Sequence, residues 1–159
     1  MSDIVSKAKR SEVMAAVRST GNRATELRMI ALFRANGIIG WRRDQGVIGK
    51  PDFVFGSERV AVFVDGCFWH GCPKCYRRPR SHQKYWDSKV AGNIARDRCN
   101  RSRLRRMGWW VVRIWEHELK LQPSGCTARI LRALRKGTFR AHEKQMREQA
   151  RGDPSTRSG

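Results

Sequence analysis

In the stretch Val62–Cys75 an apolar run leads into a carboxylate, two large aromatic residues, an imidazole and three thiols. Cys67, Cys72 and Cys75 place three thiolates on one short loop. Zinc takes four nitrogen or sulfur ligands in a tetrahedron, so a fourth must come from elsewhere. His117, Cys126, Cys99 and His70 are the candidates; His117 is favoured, because it directly follows an apolar, strand-like run whose end can reach the loop. No open coordination position is implied, and such a zinc is structural. Asp65, at the end of the apolar run, and Asp52, behind Pro51, are hard oxygen donors of the kind Mg²⁺ prefers. A bound Mg²⁺ polarises a phosphate and helps generate hydroxide. His70 can accept a proton from an attacking water near pH 7; its other readings are a zinc ligand and a surface histidine.

Positioning these groups falls to the surrounding elements. Ala24–Asn36 reads as a helix, with Leu27, Ile30, Ala31 and Arg34 at helical spacing, Thr25 suited to its start and Asn36-Gly37 to its end. Glu26 lies in its first turn, either as favourable charge at a helix N-terminus or as a site group. Strands are expected at Ile38–Arg43, Pro51–Phe55 and Arg59–Val64, with Asp44–Lys50 and Gly56-Ser57-Glu58 turning between them. Pro51 is tolerable only at the beginning of its strand, and the near-continuous apolar third strand reads as central. A hairpin of the second and third strands sets Asp52 and Asp65 side by side. After the basic loop Tyr76–His82, Gln83–Met107 reads as one long cationic helix ended by Gly108. Asn93, Arg96 and Asp97 share a face of it, Arg96 suited to a phosphate or to pairing with an acid and Asp97 to orienting His70. Trp109–Trp115 is a fourth strand, Glu116–Gln122 a connector and Pro123–Arg135 a last helix. This order defines an α/β layered domain. Residues 1–23 read as a basic N-terminal arm, with Ser11 capping a short helix through Arg18; residues 24–139 form the domain, and 140–159 a polar, disordered tail.

A chain of 159 residues supports one domain with one core. Its 34 Lys and Arg against 14 Asp and Glu, a net charge of +20, call for a polyanionic partner, most often nucleic acid. A membrane role is not expected: there is no spanning apolar run, no signal peptide and no basic amphipathic helix with an aromatic face. A cytoplasmic location is expected instead. Five cysteines, three of them within nine residues, point to metal rather than disulfides.

Pro51-Asp52, followed after twelve residues by Asp65, resembles the core of the PD-(D/E)xK nucleases. The lysine expected two residues beyond the second acid is replaced by Cys67, and His70 would take its role. A more specific resemblance rests on Pro51-Asp52-Phe53, Val62-Phe63-Val64-Asp65-Gly66-Cys67-Phe68-Trp69-His70, Trp86, Asn93, Arg96-Asp97, Gly108-Trp109 and Trp115-Glu116. Together these resemble the very short patch repair (Vsr) endonucleases, over roughly Lys7 to Leu134. The resemblance implies a restriction-endonuclease-like mixed sheet flanked by helices, with a structural zinc site. It also implies a Mg²⁺-dependent enzyme of bacterial cytoplasm and nucleoid that nicks double-stranded DNA 5′ to the T of a T:G mismatch, the product of 5-methylcytosine deamination. Asp52 and the backbone carbonyl of Val64 would hold Mg²⁺, His70 would be the general base, with Asp97 and Glu26 in the same catalytic group, and Cys67, Cys72, Cys75 and His117 would hold zinc. Phe68, Trp69 and Trp86 would enter the base stack beside the mismatch, rather than simply packing in a core, with Asn93 and Arg96 at the DNA. A monomer, an arm embracing the duplex and contacts with mismatch-repair proteins are further expectations. The chain departs from the family pattern at Asp65, where a histidine is usual; Asp65 is then a second metal ligand or a group behind the ligands. It also has Cys72 where the pattern has His and His117 where it has Cys. The alternatives are a zinc-stabilised DNA-binding module without catalysis and a restriction-like nuclease for another distorted DNA.

Overall fold

The computed structural model describes residues 23–43 and 45–152. Its elements are α1 (Arg23–Ala35), β1 (Trp41–Arg42), β2 (Phe53–Phe55), β3 (Val60–Asp65), α2 (Gln83–Arg106), β4 (Trp110–Trp115), α3 (Glu116–Leu121) and α4 (Pro123–Gly152). The strands form one mixed sheet in the order β1-β2-β3-β4. β1 and β2, and β2 and β3, pair antiparallel; β3 and β4 pair parallel. The tight turn Gly56–Arg59, closed by the Arg59 N–H to the Gly56 carbonyl at 3.3 Å, suffices for the hairpin. A parallel pair needs a long crossover, and α2 with the loop before it supplies one.

Alternation along the strands divides the molecule into two faces. Val60, Val62, Val112 and Ile114 pack with Met29, Phe33, Leu119, Cys126 and Ile130 in the core. Phe33 meets Phe53 and Phe55 edge-on, with centroids 5.1 and 5.8 Å apart. Each such buried aromatic contributes about 1.5–3 kcal/mol. On the opposite face Asp65 and Arg113 lie towards Asp97 of α2. Asp65 and Arg113 therefore occupy the sheet face opposite the main core cluster, a face on which Val54 and Ala61 are also buried.

Three expectations are corrected. The strand expected at Ile38–Arg43 is reduced to Trp41–Arg42, because Gly40 turns through a positive φ of 86° and Ile39 points to solvent. Glu116–Gln122 is no simple connector: Glu116–Leu121 is the helix α3, capped where the Glu118 carboxylate accepts the Trp115 N–H at 3.0 Å, and anchored by buried Leu119. The last helix does not stop at Arg135. It continues to Gly152, so residues 140–152 are helical where a disordered tail was expected. Their composition is polar but rich in strong helix formers, Ala, Glu, Lys, Gln, Met and Arg. Arg140 tethers the extension, lying over the Trp110 ring at 4.7 Å and donating to the Gly108 carbonyl at 3.3 Å. The expected arm up to Asn22, with the short helix expected after Ser11, and residues 153–159 lie outside the described residues.

Candidate active site and thiol cluster

The loop after β3 folds back on itself, with the Cys72 N–H donating to the Cys67 carbonyl at 2.9 Å. Gly71 makes this possible. Its φ is +60°, and a Cβ there would meet the Ile94 side chain of α2 at 2.7 Å. His117 stands in the first turn of α3, and its Nδ1 lies 3.3 Å from Cys67 Sγ and 3.6 Å from Cys72 Sγ. The ligand atoms of Cys67, Cys72, Cys75 and His117 all lie within 4.8 Å of one another. Tetrahedral zinc with thiolates at about 2.3 Å needs sulfur atoms about 3.8 Å apart, so the cluster is of the right size and donor type. Burial pushes the Cys67 thiol up to about 11. Burial also raises Cys72, but the backbone N–H groups of Lys74 and Cys75 outweigh it and leave that thiol below its ordinary value. The loop backbone and the neighbouring thiols of Cys67 and Cys75 thus favour the charged form of this sulfur. Of the other candidate ligands, Cys99 is exposed, Cys126 is buried in the core, and His70 is directed elsewhere.

Asp52 precedes β2 and faces the end of β3, where its Oδ2 accepts the Val64 N–H at 2.7 Å. Burial, partly offset by this hydrogen bond and reinforced by the charges of Asp65 and Glu26, pushes its carboxyl up to about 6. A desolvated carboxylate beside a strand-end backbone is a hard oxygen donor set, which fits a Mg²⁺-like cation. Glu26 is paired with Arg43 and is close enough to Asp52 for its charge to be felt.

His70 Nδ1–H donates to Asp97 Oδ2 at 2.6 Å, while its Nε2 lies 3.7 Å from Asp65 Oδ1. Burial disfavours the imidazolium, but the Asp97 hydrogen bond and the Asp65 charge prevail and raise the pKa of His70. Asp65, only 7% exposed, receives a hydrogen bond from Arg113 Nε at 2.5 Å. The other arm of that guanidinium lies 3.5 Å from Asp97 Oδ2, and the group is stacked over the Trp115 ring at 3.9 Å. One helical turn beyond Asp97, the half-buried Arg101 feels Asp97, Asp65 and Arg113; burial first, then Arg113, lower its pKa.

Beside this site Phe68, Trp69 and Trp86 form a half-buried aromatic cluster. The Phe68 ring is 5.3 Å from both Trp69 and Trp86, and the two indoles are 5.7 Å apart. Asn93 donates from Nδ2 to the Trp69 carbonyl at 2.9 Å, tying α2 to the loop, and the exposed Arg96 reaches the Asn93 side-chain oxygen at 3.4 Å. Asp65, His70, the thiol cluster and the aromatic cluster thus meet around the loop after β3 and α2, with Asp52 before β2 and Glu26 on α1, while Cys99 and Cys126 stand apart. Arg113, Arg101 and the rings of Tyr76 and Tyr85, which extend the aromatic cluster, were not singled out from the sequence. Arg113 had a signal: it is the one charge in the otherwise apolar strand Trp110–Trp115, and a charge on a half-buried strand needs a partner.

A carboxylate–imidazole site and a thiol–imidazole cluster, roofed by a helix with eight Lys and Arg and only two acids, form the equipment of an enzyme acting on nucleic acid. Comparison with known proteins makes the class specific. Residues 2–77 match the family model described as DNA mismatch endonuclease Vsr. The type II nicking enzyme V.NaeI of Lentzea aerocolonigenes is 42% identical over 115 residues, covering 69% of this chain and 68% of that protein. The DNA mismatch endonuclease Vsr of Escherichia coli K12 is 37% identical over 122 residues, covering 76% and 77% respectively. The type II nicking enzyme V.NmeAIP of Neisseria meningitidis is 35% identical over 137 residues, covering 85% and 96%. The chain belongs to the DNA mismatch endonuclease Vsr family and is a DNA endonuclease. Among the described residues no helix is long and apolar enough to cross a membrane.

Proposed function

We propose that this endonuclease nicks one strand of duplex DNA 5′ to the T of a T:G mismatch left by 5-methylcytosine deamination, and that it depends on Mg²⁺ on a restriction-endonuclease-like fold. The observation that carries this reading is the pairing of His70 with Asp97 at 2.6 Å, beside the half-buried Asp52 and the three-ring cluster. Asp52 and the carbonyl of Val64 hold Mg²⁺, which when bound supplies charge stabilisation at the scissile phosphate. His70 takes the proton from the attacking water, with Asp97 fixing the imidazole through Nδ1 so that Nε2, 3.7 Å from Asp65 Oδ1, is the ring nitrogen that accepts it. Glu26, held by Arg43, adds negative field beside Asp52. Zinc on Cys67, Cys72, Cys75 and His117 locks the loop that carries His70.

Phe68, Trp69 and Trp86 wedge into the base stack. Opening a step costs a few kcal/mol and costs least where the pair is mismatched, so the wedge itself favours a mismatch. Asn93 acts by tying the helix to this wedge, and Arg96 supplies a phosphate contact from the exposed face. The N-terminal arm is proposed to embrace the duplex and the protein to act as a monomer, with mismatch-repair proteins as further partners. A zinc-stabilised binding module would have no use for an imidazole held on a carboxylate beside a second buried acid. The test uses labelled duplexes differing only in a T:G, C:G or T:A pair, incubated with Mg²⁺. A single nick 5′ to the T of the T:G duplex is expected; equal cutting of all three would refute mismatch recognition.

A further inference from the structure

The second acid of the strand hairpin, Asp65, has its own partner in the protein. Arg113 Nε donates to Asp65 Oδ2 at 2.5 Å, and Arg113 Nη2 lies 3.5 Å from Asp97 Oδ2. Asp97 in turn holds His70 Nδ1 at 2.6 Å, and His70 Nε2 faces Asp65 Oδ1 at 3.7 Å. The four side chains close a ring of alternating acid and base. The guanidinium has little freedom to leave it: it stacks on Trp115 at 3.9 Å, and its own strand is braced where Arg129 donates to the Arg113 carbonyl at 3.1 Å. The register that pairs Asp65 with Trp115, and Phe63 with Arg113, builds this arrangement into the parallel ladder itself.

We infer that Arg113 is a positioning residue that holds Asp65 as an internal counter-ion, so that Asp65 supports His70 and Asp97 and is not a ligand of the catalytic metal. This rests on the reading of Asp52 as the metal-binding carboxylate. Asp65 Oδ2 is committed to a charge-assisted hydrogen bond from a stacked guanidinium and Oδ1 is turned to His70 Nε2 at 3.7 Å, so a cation at this carboxylate would have to compete with the arginine's charge. Asp65 is also mostly buried, so without Arg113 its charge would lack compensation and would recruit a cation instead. The arginine therefore decides how many protein carboxylates the metal meets.

The test is Mn²⁺ alone titrated into the zinc-loaded protein, with binding read by calorimetry and folding followed by thermal unfolding. Asp65→Asn should bind Mn²⁺ as the natural chain does. Arg113→Met should bind it at least about tenfold more tightly, one additional pK-equivalent of carboxylate interaction. The double variant Asp65→Asn/Arg113→Met should return to the natural affinity. If Arg113→Met does not fold, Arg113→Gln, neutral and polar, carries the same comparison, and Arg113→Lys should restore the natural value. Mn²⁺ affinity reduced about tenfold in Asp65→Asn, or unchanged in the neutral Arg113 variant, would overturn the inference. Asp52→Asn reports separately on the underlying reading: Mn²⁺ binding retained there would remove Asp52 as the metal site, whatever the Asp65 and Arg113 variants do.

Discussion

The carboxyl of Asp52 is pushed up to about 6, chiefly by burial, against an ordinary 3.8. A group raised in this way contributes stability to the metal-free fold that is complete below its unfolded value and lost as pH rises through about 6. Proton and divalent cation then compete for one half-buried carboxylate, so Mn²⁺ affinity should fall about tenfold for each pH unit below about 6. Titrations at about pH 5 and about pH 7 check this, and equal affinities would contradict it. At this scale the sequence was unevenly legible. Asp52, His70 and the four zinc-type ligands stand out by residue type and spacing, because hard oxygen and soft sulfur donors cluster only for a reason. Asp65 was ambiguous for a physical cause. Its partner Arg113 lies 48 residues away and meets it only through the parallel pairing of β3 with β4. No local pattern carries that information.

Among the elements, the loop from Gly66 to Tyr76 has no regular structure of its own and depends on its cluster and on α2. Cys75→Ser should therefore release zinc, measured by metal analysis, and lower the thermal midpoint by several degrees; one kcal/mol corresponds to about 2–4 °C in a chain of this size. An unchanged midpoint with zinc lost would show that the loop stands without the metal. The helix α4 is a second test of element packing. Gly137 lies against the β2–β3 turn, where a Cβ would overlap the Glu58 carbonyl and come within 2.8 Å of the Glu58 Cβ. Gly137→Ala should cost about 1–3 kcal/mol in denaturant unfolding, despite the higher helix propensity of Ala, while leaving nicking per folded molecule intact. The long α2 was legible from end to end, because Gly108 and the apolar strand after it bracket a run of good helix formers. The length of α4 was not: its distal half is polar on most faces, and the cation–π contact of Arg140 with Trp110 that tethers it is invisible to periodicity.

For the whole molecule, a net charge of +20 makes association with DNA largely electrostatic. With at least about six phosphates neutralised, duplex affinity should fall about 10³-fold between about 50 and 200 mM salt. Affinity nearly independent of salt would mean that the basic surface does not lie on the DNA. Layer order and the Asp52–Asp65 hairpin followed from apolar runs and turn residues, and the mixed sheet follows from one simple constraint: among the described residues, the only crossover between strands long enough for a parallel pair contains α2. We propose that the Asp52–His70 site performs the cut, and parallel measurements of binding and single-turnover nicking on a T:G duplex test this most directly. Asp52→Ala and His70→Ala should bind the duplex as the natural chain does. Nicking should fall about 10³-fold or more in the first and about 10²–10⁴-fold in the second. Asp52→Ala cutting within a few-fold of the natural rate would contradict the account.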